Sequence, residues 1–281
     1  MKKTFSSKKS AFSLIELSIV LIIIGLLIAG ITGGASLIKN SELRALSAEA
    51  RGYQVAVNGF YSLYNSLPGD YPQAIAGSIA SSATTLNGDN SKIEYYESNV
   101  STYLSESVVA WDQLIKTGTI DSTLSLTKLA VSSQQVVGTN MPAAKIKFAG
   151  WHFDYRNRVG SSGDYSKTNQ ALGAVQEGGS YNPQNVAVLT GTTTAVSATT
   201  ATLVNGTTNG ATAALIGPDA YALDTKVDDG KANSGKVRGL NPNAVDGTCY
   251  TASTSATASY IISSSTTKVC ALTFQVDPKS S

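Results

Sequence analysis

Glu16 is the charged side chain with the most to explain. It is the only charged residue between Lys9 and Lys39, and it interrupts an otherwise apolar stretch from Phe12 to Ala29. A charge near the middle of a bilayer costs about 2.5–3.5 kcal/mol even on insertion-based scales. Such a carboxylate needs a partner and marks a functional position. Catalytic constellations are sparser. His152 is the single histidine, so a zinc site would lack a second imidazole. Its alternation with aromatics favours a strand position, surface-facing or structurally satisfied. No nucleophile elbow, phosphate loop or dinucleotide fingerprint accompanies it. Asp224, Asp228 and Asp229 form the best oxygen-ligand cluster. Lys226 and Asp229 break the spacing of a helix-loop-helix calcium site, however. A turn capping a helix is the favoured reading of Asp224–Gly230; calcium is the alternative, and no metal, cofactor or catalytic residue is assigned.

Composition narrows the class. The 281 residues carry a net charge of +2, and only 14% are Asp, Glu, Lys or Arg. No basic stripe with interleaved aromatics is present, so no nucleic-acid partner is expected. The conspicuous basic group is local: Lys2, Lys3, Lys8 and Lys9 precede the apolar run. Three kinds of segment have this layout. A secretory signal peptide would end in a small-residue cleavage site, and none follows here. A signal anchor fits the length, since about 20 apolar residues span a bilayer with the lysines inside, but it leaves Glu16 unexplained.

The stretch Lys8-Lys9-Ser10-Ala11-Phe12-Ser13-Leu14-Ile15-Glu16-Leu17 resembles the processing site of type IV prepilins and type II secretion pseudopilins. The resemblance covers roughly the first thirty residues. It implies cleavage between Ala11 and Phe12, with Ala11 standing where the family usually has Gly. It further implies N-methylation of Phe12 and makes Glu16 the assembly carboxylate. The implied partners are a prepilin peptidase, the inner membrane, copies of this chain or other pilins in a helical filament, and assembly platform proteins. Adhesion, motility, DNA uptake and secretion all remain open, as does a pseudopilin role or an anchored, exported protein that never assembles. Cleavage would free an α-amine with a pKa of about 7.7–8.0. That amine is a natural partner for Glu16, in the same helix one turn away or in a neighbouring subunit.

The elements that must position these groups follow from periodicity. Leu43, Leu46, Ala50, Tyr53, Val57, Phe60 and Tyr64 recur every three or four residues, the apolar face of an amphipathic helix. Glu42, Arg44, Glu49, Gln54 and Asn58 lie opposite. Pro68-Gly69-Asp70 stops the helix, which would be on the order of 80 Å long at about 1.5 Å per residue. Gly25, Gly30, Gly33 and Gly34 could loosen it or let helices pack closely. The expected organisation is a leader at 1–11, a membrane or filament-core helix at 12–34, its amphipathic continuation at 35–66, and a β-rich head at 67–281. The fold class is α+β, a long N-terminal helix on an antiparallel sheet.

Within the head, Val108–Ile115 reads as a short helix ending at Gly118. Ile146, Phe148, Trp151, Phe153 and Tyr155 read as a strand interrupted at Ala149-Gly150. Val186–Leu189 reads as a buried strand, and residues 190–213 as a Thr-rich surface insertion. A helix from Gly217 to about Val227, with Pro218 in its first turn, precedes a turn-rich loop to Gly239. Val269–Val276 is the last strand. Cys249 and Cys270 are the only cysteines, so one pairing exists. Export would oxidise them to a disulfide; two separate buried thiols are the alternative. The pair also resembles the disulfide-closed loop common near the C-terminus of pilins.

Overall fold

A computed structural model describes residues 13–71, 93, 106–121, 124, 137–156, 184–191, 213–240, 249–251, 258–263 and 266–277. The chain divides into two compact units, residues 1–43 and 44–281. Helix α1, Leu14–Tyr64, is unbroken over 51 residues. It runs through all four glycines of its first half, where an added Cβ would meet nothing within 4 Å. The glycines therefore do not interrupt the helix. It ends where Asn65 turns left-handed at φ 50°, a C-terminal conformation that Asn tolerates better than most residues. The Asn65 N–H still donates to the Tyr61 carbonyl, 2.8 Å away.

In the second unit, Leu46, Val57 and Phe60 on α1 are fully buried. Tyr53 meets Trp111, Trp151 and Phe153 edge-on, with centroids 4.9, 5.4 and 6.4 Å away. Such T-shaped pairs add to what burial alone contributes. The face opposite is less polar than expected. Glu42, Glu49, Gln54 and Asn58 are half-buried flanks, while Val55 and Leu63 are each 70% exposed. After α1, Gly69 adopts φ 86°, and its N–H donates to Gln113 Oε1 at 2.7 Å. This ties the turn to α2, Glu106–Lys116.

The sheet has four antiparallel strands in the order β1-β2-β4-β3: β1 is Ala149–Arg156, β2 Gln184–Gly191, β3 Val237–Leu240 and β4 Ala271–Gln275. Helix α3, Gly217–Val227, precedes β3. The α+β architecture of a long N-terminal helix and an antiparallel sheet is as the sequence indicates. Two local expectations are corrected. The strand does not start at Ile146. Residues 145–148 form a turn, with Phe148 at φ 59°, and the flanking segments close a small hairpin through Ala144 N–H to Ala149 O and Trp151 N–H to Pro142 O, both 3.0 Å. Residues 237–239, read as the end of a turn-rich loop, form β3 together with Leu240. The register pairs Trp151 with Leu189 and Phe153 with Ala187, and Ala187 in turn with Phe274, giving one aromatic face. The other face places His152 beside Val188 and Thr273, all fully buried. Both faces of β1 are therefore covered.

Candidate functional site

At the start of α1 the Ser13 carbonyl accepts the Leu17 N–H at 3.3 Å, making Ser13 the N-cap and Glu16 the third helical residue. The Ser13 N–H donates to Glu16 Oε2 at 2.9 Å. This is the reciprocal half of a capping box, in which a Glu at the third position satisfies an N–H that the helix leaves without a partner. The negative carboxylate also lies at the positive end of the helix dipole. The sequence signal, Ser-x-x-Glu before an apolar run, is the signature of that box.

Around the carboxylate every large side chain is apolar and exposed. Leu14, Ile15, Leu17, Leu21, Leu26 and Ile31 are 90, 65, 56, 61, 70 and 70% exposed. The most apolar 18-residue stretch of α1 has mean hydropathy 2.9, and none of it is buried. By length and composition α1 can cross a membrane. At about 25 cal/mol per Å² of apolar surface, such a helix gains by being covered, by lipid or by other helices. Ala11 and Phe12 lie outside the described residues, as do most of the Thr-rich stretch and the loop after Tyr71.

The remaining candidates resolve into structural parts. Cys249 and Cys270 form a disulfide with a Cα–Cα distance of 4.9 Å, and both are fully buried. Asp224, Asp228 and Asp229 bring carboxylate oxygens within 4.8 Å of one another, but those oxygens already accept hydrogen bonds. Tyr260 Oη and the Gly230 N–H donate to Asp224 at 2.7 and 3.1 Å. The Lys236 and Val237 N–H groups donate to Asp228, the latter at 3.0 Å. Asp229 accepts from Lys231 N–H and Ser234 Oγ. The cluster thus staples the segment after α3 to the start of β3. Burial raises the Asp224 carboxyl to about 7, against the hydrogen bonds from Tyr260 and Gly230 that oppose it. His152 is inside the sheet face described above, and burial lowers its imidazole to about 3. It is a neutral core residue at physiological pH.

No curated relative and no solved structure matches the chain. Residues 6–32 match the family model of the prokaryotic N-terminal methylation motif, a window that holds Ala11, Phe12, the Ser13–Glu16 cap and most of the exposed apolar segment. By that motif, the chain carries the signature of the type IV pilins and pseudopilins.

Proposed function

We propose that this chain is a structural subunit of a type IV pilus or pilus-like filament. It is made as a precursor, cut between Ala11 and Phe12 by a prepilin peptidase and N-methylated at Phe12. It waits in the inner membrane and then enters a helical filament on an assembly platform. The observation that carries this reading is the carboxylate of Glu16 at the head of an exposed apolar helix, inside the methylation motif. Filament entry exchanges lipid around Leu14–Ile31 for neighbouring helices. Glu16 then pairs with the Phe12 amine of its own or an adjacent subunit, and the high cost of leaving a buried charge unpaired fixes the axial register. The role is structural, without a catalytic centre. A pseudopilin of a type II secretion machine is the second reading; the disulfide near the C-terminus favours the pilin.

Intact-mass measurement of the chain from its native membrane tests this. The expected result is loss of residues 1–11 and gain of one methyl group. An uncut chain would establish an anchored exported protein instead. Glu16→Leu should leave the chain in the membrane and abolish its recovery in sheared filaments; normal filaments would refute the pairing. Recovery of filaments only in cells with an active secretin pathway, and none at the surface, would select the pseudopilin.

A further inference from the structure

We infer that the hairpin tip Lys145–Phe148 is a docking surface for anionic lipid headgroups, used by the head while the subunit waits in the membrane. This rests on the membrane residence proposed above. Lys145 and Lys147 are exposed on the turn, and Ile146 between them is buried, so the turn presents charge outward and anchors itself inward. Phe148 is 49% exposed and sits at φ 59°, a left-handed conformation that a residue with a side chain adopts only at a cost. Glycine would relieve that cost, yet an aromatic ring occupies the position and faces outward. A third cation closes the patch: exposed Lys268 donates Nζ to the Lys147 carbonyl at 3.1 Å.

The tip is held rather than loose. Glu49 Oε2 accepts both the Lys145 N–H and Trp151 Nε1, each at 3.1 Å. Burial raises the Glu49 carboxyl above its ordinary range, while Lys145 works in the opposite direction. Glu49 thus offsets part of one lysine and leaves the patch cationic. Glu49 belongs to the first turns of α1 within the unit of residues 44–281, so the tip packs beside the residues with which that unit begins.

Three lysines round an exposed ring match an anionic bilayer surface. The ring enters the headgroup boundary, the lysine stems lie along it, and each ammonium reaches a phosphate. Each lysine near such a surface is expected to change the docked-to-undocked ratio by about fivefold, and the attraction weakens as salt shortens the Debye length.

The test uses the full chain with Phe148→Trp, reconstituted in vesicles of brominated phosphatidylglycerol or brominated phosphatidylcholine, with carbonate extraction to verify insertion. Fluorescence of the introduced tryptophan is compared with that of the parent, whose two tryptophans are buried. Strong quenching in phosphatidylglycerol, weak quenching in phosphatidylcholine, and its loss with Lys145→Gln, Lys147→Gln and Lys268→Gln together are expected. Equal quenching in the two lipids, or quenching that survives the triple substitution, overturns the proposal. So does an inserted chain with no quenching whose patch instead binds a short DNA duplex, which would assign the surface to nucleic acid. A chain that fails to insert would overturn the membrane reading itself.

Discussion

Breaking the Cys249–Cys270 disulfide should destabilise the head by an amount its loop length sets. The two residues are separated by 21 positions. In the chain-entropy model, closing a loop of that size lowers the free energy of folding by about 3.3 kcal/mol at 25 °C. For a unit of this size, each kcal/mol shifts Tm by about 2–4 °C, so reduction should lower it by about 7–13 °C. What the bond fastens is specific. The Cys270 carbonyl accepts the Ala214 and Leu215 N–H groups at 2.8 and 2.9 Å, and the Cys249 carbonyl accepts the Ile261 N–H at 2.8 Å. The disulfide therefore links the strap leading into α3, the start of β4 and the segment carrying Tyr260. The assay is urea and thermal unfolding of the full chain in detergent, oxidised against reduced, with both sulfurs retained. The Cys249→Ala/Cys270→Ala chain should lose slightly more, because both side chains are fully buried and their removal leaves cavities. If oxidised and reduced chains unfold within about 1 °C of one another, the entropic account of this loop is wrong.

Three further outcomes follow. Because the folded-state pKa of Asp224 is raised to about 7, the folded state holds a proton that the unfolded chain releases above about pH 4. Stability should fall as pH rises from about 4 to 7, and Asp224→Asn should remove that component; parallel wild-type and variant profiles in urea would refute it. The imidazole of His152, lowered to about 3, opposes this trend: the unfolded chain takes up a proton below about pH 6.5 and the folded one does not, so stability is lost as pH falls. As the only histidine, its ring resonances can be followed directly by NMR and should not titrate between pH 7.5 and 4.5. Gly69→Ala should cost about 3 kcal/mol in urea unfolding, since its φ is 86° and an added Cβ would come within 2.4 Å of the Glu106 carbonyl oxygen; a loss below about 1 kcal/mol would show that the turn relaxes freely.

The features legible in the sequence are those written in local spacing. The apolar run, the three-four stripe from Leu46 to Phe60, Val186–Leu189 and Pro218 in the first turn of α3 each determine their element within a few residues. Features set by distant partners were not legible. Val237–Leu240 holds an Arg and a Gly in four residues and becomes a strand only by pairing with Leu272 and Phe274. Ile146 and Phe148 continue a strand period convincingly, yet the backbone turns there, because sequence alternation does not register a left-handed φ. Alternation with aromatics leaves His152 either surface-facing or structurally satisfied. The second holds: His152 and Asp154 are fully buried, because other parts of the chain cover that side. At the candidate site, the carboxylate was legible through its cost, whereas its hydrogen bond to Ser13 required the helix start to be seen.

That hydrogen bond bears on reversibility. The Ser13 N–H lies on the mature side of the proposed cut, so that cut would leave the donor in the chain. The Ser13 N–H holds the carboxylate in place without neutralising its charge. Any new bond it forms with a neighbour's amine is shared with, or traded against, the cap it began with. In the proposed filament, the net gain from that contact is the charge pairing less whatever part of the cap it displaces. A subunit leaving the proposed filament would give up the neighbour's amine and keep the Ser13 N–H that its own helix supplies.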